Sequence, residues 1–192
     1  MVQTFQQFLA EQSLPTIALY HGGRDLKASF RDTIAHKKGN WEYGPGLYLT
    51  THYNTARKYA KGGGKVYKVV VEKGQEADDT WIDEQDINKF VSDYILAAKR
   101  KKLLLDLGKH IGPKGINADT FINLVLYYKA VTNSKSGKLK DFLSEHGVDY
   151  NIVTRYNGRD ETVMVVINSK KIMNVSTVDP NTKDYELPFK FV

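Results

Sequence analysis

The sequence predicts an α+β fold, and three observations lead there. Runs rich in β-branched and aromatic residues stand toward both ends of the chain, punctuated by glycines and an Asn-Gly pair. Between them, residues 83–146 repeat apolar side chains at helical spacing. No glycine-rich phosphate loop follows a strand, so the alternating pattern of a doubly wound nucleotide-binding sheet is missing.

Taken in order, residues 2–12 put Val2, Phe5, Phe8 and Leu9 on one face of a short helix ahead of Pro15. Residues 16–21 (TIALYH) read as a buried strand stopped by Gly22 and Gly23. Residues 25–38 are helical in period, with Leu26, Phe30 and Ile34 inward, and residues 36–46 form a turn-rich loop carrying Trp41 and Tyr43. A second strand covers 46–50. Thr51 or Asn54 caps a helix over 55–61, which three glycines at 62–64 end. Residues 66–72 (VYKVVVE) make a third strand.

The middle reads as three helices, at 83–107, 119–131 and 138–145. The first carries Ile87, Phe90, Val91, Tyr94, Ile95 and Ala98 at helical period. The turn-forming IGPKG at 111–115 precedes the second, and Gly147 closes the third. Strands at 150–154 and 162–167 then flank RYNGRD, whose Asn157-Gly158 is a strong hairpin signal. Residues 172–175 and 187–192 supply final strands. A chain of 192 residues suits one domain over 1–192, with a helical basic insert at about 83–146.

Composition narrows the chemistry. The chain has no cysteine, which excludes disulfides, thiolate metal sites and cysteine nucleophiles. Its histidines stand singly at 21, 36, 52, 110 and 146, without ligand-pair spacing, so no metal is expected. The first residues lack a basic segment followed by an apolar run, and no stretch approaches the ~18 apolar residues of a membrane helix. A cytoplasmic protein with no membrane partner is the expectation. The net charge of +6 is uneven: ten lysines and arginines against two aspartates between Ala97 and Lys140 give that stretch +8 and leave −2 elsewhere. Such local charge favours an anionic partner for that region.

Three separated segments carry residues of chemical interest. LYHGGR sets His21 at a strand end before two glycines. YGPGLYLTTHYNTARKYA sets Tyr48 in a strand and Tyr59 eleven positions on, in the next helix. GRDETVMVVI opens a late strand with Glu161. In this order and spacing the chain resembles the His-Tyr-Glu branch of the ADP-ribosyltransferase superfamily, which includes diphtheria toxin and the poly(ADP-ribose) polymerases. The resemblance covers residues 17–72 and 150–175 and is silent on 76–146.

The resemblance implies two packed antiparallel sheets of the split ADP-ribosyltransferase type, interrupted by a helical insert. It implies NAD as co-substrate, without a metal. Glu161, His21 and Tyr48 are then the catalytic signature, with Glu161 holding the 2′-hydroxyl of the nicotinamide ribose and His21 a hydroxyl on the adenosine side. Tyr48 and Tyr59 wall the nicotinamide, Gly22 offers its backbone to the amide, Arg24 reaches a phosphate, and Thr50 joins the cofactor-binding set. The loop of Trp41 and Tyr43 drapes over the dinucleotide. Arg155, Tyr156 and Arg159, in the turn before Glu161, meet the acceptor. Ala56 departs from the pattern, because the polymerases usually carry serine three residues before the second tyrosine; this points to single transfer rather than polymer synthesis.

The residue types suit that chemistry. Breaking the ribose–nicotinamide bond passes through an oxocarbenium-like transition state. Two tyrosines can sandwich the cationic ring at ~0.5–2 kcal/mol per contact. The charge leaves the ring as the bond breaks, so the stack orients, and the rate falls to the carboxylate that answers charge growing on the sugar.

Each residue alone also has an ordinary structural explanation. His21 reads as a satisfied strand-end histidine, Tyr48 and Tyr59 as core aromatics among twelve tyrosines, and Glu161 as surface charge beside a turn. Lys99, Arg100, Lys101 and Lys102 read either as a track for nucleic-acid phosphates or as a solvated helix face. The expected function is mono-ADP-ribosyl transfer to a macromolecular acceptor, protein or nucleic acid (RNA or DNA). Its rivals are an NAD glycohydrolase and a catalytically inactive NAD- or nucleic-acid-binding module. The economy of the chain suits an intracellular toxin or effector, for which an inhibitory partner protein is a further expected partner.

Overall fold

The computed structural model describes residues 14–24, 26, 42–132, 135–158, 160–181 and 183–192. The helices expected at 2–12 and 25–38 (Leu26 apart), together with Trp41 and Arg159, lie outside the described residues. The strands are β1 (Thr16–Gly23), β2 (Leu47–Thr50), β3 (Lys65–Glu72), β4 (Trp81–Ile82), β5 (Ile116–Asn117), β6 (Tyr150–Val153), β7 (Val163–Val166) and β8 (Ile172–Thr177). The helices are α1 (Tyr53–Tyr59), α2 (Glu84–Tyr94), α3 (Ala97–Leu107), α4 (Ala118–Tyr127) and α5 (Ser136–Glu145). The fold is α+β.

Six strands join in the order β6-β7-β2-β1-β3-β8, and every pairing between them is antiparallel. This corrects the expectation of two separate sheets, yet the single sheet has a seam. β1 pairs with β3 along its whole length, from Thr16↔Glu72 to Gly23↔Lys65, while β1 meets β2 at the one pair Tyr20↔Thr50. Beyond that pair, β1 runs on through His21 to Gly23 without laddering to Leu47 and Tyr48.

Alternation divides the strand side chains between two faces. Ile17, Leu19, Leu47, Leu49, Tyr67, Val69, Met164 and Val166 bury one face in a shared core. On the other face α1 lies across the sheet, packing Tyr53 and Ala56 against Tyr20 and Val66. The helix approaches closely because Gly22 has no side chain: a Cβ there would collide with the Ala56 carbonyl oxygen. Residues 187–192 are not a strand, because Pro188 brings no N–H to a ladder. The segment is nevertheless tied to the sheet, with Thr16 and Val192 exchanging backbone bonds of 2.8 and 2.9 Å.

α2 to α5 build the second core around Ile87, Phe90, Phe121, Leu139 and Leu143, which also takes in Ile167 just after β7. The helix expected over 83–107 is broken at Ile95 and Leu96. There the Leu96 N–H donates to the Ala130 carbonyl at 3.1 Å and Arg100 Nε donates to the Ile95 carbonyl at 2.9 Å, so tertiary partners replace helical ones. Asp83 and Asn117 cap α2 and α4 by accepting from Gln85 and Thr120 backbone N–H groups. The short β4–β5 ladder was not expected from the sequence; Trp81↔Asn117 and Ile82↔Ile116 form it across the helical block. Among the described residues no helix is long and apolar enough to cross a membrane.

Candidate functional site

β2 is the centre of the site, flanked by β1 and β7, so His21, Tyr48 and Glu161 belong to three neighbouring strands or their ends. Tyr48 pairs with Val165 and Thr50 with Val163, which puts Tyr48 and Thr50 on the same face. Glu161 lies two residues before β7, at its Thr50 end.

Glu161 is 3% exposed. The Thr50 hydroxyl donates to its Oε1 at 2.6 Å and the Thr55 hydroxyl to its Oε2 at 3.1 Å. Thr50 is itself oriented, since its oxygen accepts the His52 N–H at 3.0 Å. The backbone around Glu161 is held as firmly. Thr51 N donates to the Thr162 carbonyl at 3.1 Å, Thr162 N donates to Thr51 Oγ1 at 3.2 Å, and Tyr156 N donates to the Glu161 carbonyl at 2.8 Å. These duties correct the expectation that Thr51 or Asn54 caps α1; the helix begins after His52 without a side-chain cap.

Thr55 and Tyr59 are one helical turn apart on α1, so they share a face. The exposed Tyr59 ring therefore stands on the side of the helix that holds Glu161. Its hydroxyl lies 3.4 Å from that of Tyr156, whose ring meets Tyr43 edge-on at 5.8 Å. The Tyr43 N–H donates to the Tyr48 hydroxyl at 3.1 Å, which in turn donates to the Gly44 carbonyl at 2.9 Å. Four tyrosines thus link α1, the turn before Glu161 and the loop before β2. Tyr43, Tyr48 and Tyr59 have phenols held above their ordinary range. The Tyr156 hydrogen bond, then burial, pushes Tyr59 up to about 12. Burial comes first for Tyr48 and Tyr43, with Glu42 adding to both. They stay neutral near physiological pH.

His21 is half-buried at the seam. Its Nδ1 lies 2.9 Å from the Tyr48 carbonyl, and a carbonyl can only accept, so Nδ1 carries the proton in this contact. The imidazole thus bridges β1 and β2 where their ladder stops. Its ring also lies 6.5 Å from that of Tyr67. Gly46, two residues before Tyr48, has a packing reason, because a Cβ there would collide with the Val166 carbonyl oxygen. Ala56, where the polymerases have serine, is buried on the face of α1 that packs on the sheet.

Other expected residues stand apart from this centre. Arg24 is exposed and its guanidinium lies against Gly62, in the turn that follows α1. Arg155 is exposed, in a left-handed conformation with φ 55°, within a turn that spans 154–162 and is not the tight Asn-Gly hairpin expected. Lys99, Arg100, Lys101 and Lys102 lie on α3, within the helical block. Consecutive residues there point about 100° apart, and Arg100 is engaged with Ile95, so the four do not form one stripe. Lys102 lies 5.3 Å over the Tyr128 ring.

Thr51, Thr55 and Glu42 were missed from the sequence. Thr55 had a signal in its one-turn spacing from Tyr59; the other two had none. Among the described residues no group of three or more His, Asp or Glu side chains is placed to hold a metal ion. No family model, curated protein or solved structure matches the chain.

Proposed function

We propose that this chain is a mono-ADP-ribosyltransferase of the His-Tyr-Glu type and ADP-ribosyltransferase-like fold, which transfers ADP-ribose from NAD to a macromolecular acceptor and releases nicotinamide. The observation that carries this reading is Glu161, a buried carboxylate whose two oxygens are each held by a threonine hydroxyl beside the exposed Tyr59 ring. Each oxygen retains acceptor capacity for a ribose hydroxyl. Such a fixed carboxylate suits a reaction in which positive charge grows on the sugar, because it needs no reorganisation when the charge appears. The seam between β1 and β2, with His21 across it, supports the reading further, since a dinucleotide needs an opening in the sheet rather than a helix N-terminus. Tyr48 and Tyr59 are the proposed walls for the nicotinamide ring, and Tyr156 and Arg155 the proposed contacts for the acceptor.

A protein acceptor is favoured over RNA or DNA. Lys99, Lys101 and Lys102 belong to the helical block, whose core reaches the sheet at Ile167. Six residues of near-extended chain, roughly 20 Å, separate that point from Glu161. Incubation of the purified chain with labelled NAD and a cell lysate tests the proposal. Label should become attached to protein, survive nuclease and be lost on protease treatment. Release of nicotinamide with no labelled acceptor would replace transferase by NAD glycohydrolase.

A further inference from the structure

A second cleft, of about 580 Å³, lies between α1, the start of β3 and the segment after β8. It is not the Glu161 site. Arg57, which lines it, is two residues from both Thr55 and Tyr59, so it points about 200° round the helix from each. The volume falls in the range of small-molecule sites, roughly 300–1,000 Å³.

The two sides of the cleft differ in chemistry. Arg57 and Lys65 line one side, and among the described residues neither forms an ion pair. Lys183 stands at the rim, 5.2 Å over the Tyr53 ring and donating to the Pro180 carbonyl. Ala60 and Val178 supply an apolar wall, with the buried Tyr53 ring behind it. Asp179 and Asp184 follow β8 but do not line the cleft; Asp179 accepts the Asn181 N–H at 2.8 Å. Gly63 leaves the mouth open, since a Cβ there would meet nothing within 4 Å. This concentration of cations was invisible in the charge count, which is −2 outside Ala97–Lys140.

We propose that this cleft is a second ligand site for a nucleotide-sized phosphate ester, with the phosphate between Arg57 and Lys65 and the flat body against Ala60 and Val178. A charged phosphate gains charge-assisted bonds from the cations, and the apolar wall rewards a base rather than a bare anion. The ligand braces from behind the helix whose Thr55 holds Glu161. The site does not depend on the NAD reading.

Calorimetric titration of the full chain with AMP, inorganic pyrophosphate and a short single-stranded oligonucleotide tests it. AMP should bind saturably in the native chain, at this cleft and, through the adenylate it shares with NAD, at the Glu161 site, and equally in the Glu161→Gln variant. Arg57→Gln with Lys65→Gln should weaken binding at the cleft about tenfold per charge removed. Both side chains are exposed, so the fold is retained. An oligonucleotide that competes with AMP marks a strand as the source of the phosphate; one that does not marks a free nucleotide. Absence of saturable AMP binding, or binding undiminished in the double variant, overturns the proposal.

Discussion

Thr55 Oγ1 donates to Glu161 Oε2 at 3.1 Å, across 106 residues of sequence, from the same helical face that carries Tyr59. One hydroxyl therefore sets both where the carboxylate points and where the helix sits relative to it. Thr55 is a positioning residue in this account. Thr55→Val should slow ADP-ribosyl transfer about tenfold with KM for NAD nearly unchanged, and lower stability by about 1–2 kcal/mol. Thr55→Ser should restore the rate. A Thr55→Val enzyme with native kinetics would separate Glu161 from its proposed support.

Tyr59 stacks rather than reacts. Tyr59→Ala should raise KM for NAD about two- to thirtyfold, the loss of one cation–π contact, with kcat changed far less. Tyr59→Phe should stay near native, since the ring face and not the hydroxyl is used. Steady-state kinetics decide it; a fall in kcat with KM unchanged would contradict the role.

Gly22 is required by the contact between α1 and β1. Gly22→Ala should destabilise the chain by at least about 2 kcal/mol, because the added methyl meets a backbone carbonyl that cannot move without the helix. Urea unfolding should show a lower midpoint at unchanged slope.

Burial, reinforced by Asp79, Asp78 and Asp119, holds the Glu76 carboxyl above its ordinary range. The folded chain then keeps the Glu76 proton more tightly than the unfolded chain does. The stability this supplies is present in acid and lost as pH rises through the unfolded and then the folded value. Ionised Glu76 is thus a cost at neutral pH. Glu76→Gln should raise Tm near pH 7, and the difference should close below about pH 4. Thermal melts of both proteins across that range test the sign; equal Tm values near pH 7 would contradict it.

Much of this arrangement was legible in local pattern. The β-branched run of β3 and the glycines after His21 and before Tyr48 mark strands and close approaches. Gly147, with φ 83°, closes α5 where the sequence placed a stop. What stayed hidden depends on residues distant in sequence. Thr51 and Thr55 act on segments more than 100 positions away; nothing local distinguishes Thr51 from a surface threonine, and only its one-turn spacing from Tyr59 distinguishes Thr55. The helical period runs without interruption through Ile95, so the break there follows only from the Ala130 carbonyl and Arg100. The joining of the strands into one sheet rests on Tyr20↔Thr50, a single pair that no periodicity encodes.

The most direct measurement is nicotinamide release from NAD by the purified chain and its Glu161→Gln variant, with and without lysate as a source of acceptor. Release should be supported by the native chain, stimulated by lysate, and slowed about a thousandfold in the variant at similar Tm. Intact NAD in the presence of the native chain, or equal release by both proteins, would contradict the assignment of Glu161 and the function built on it.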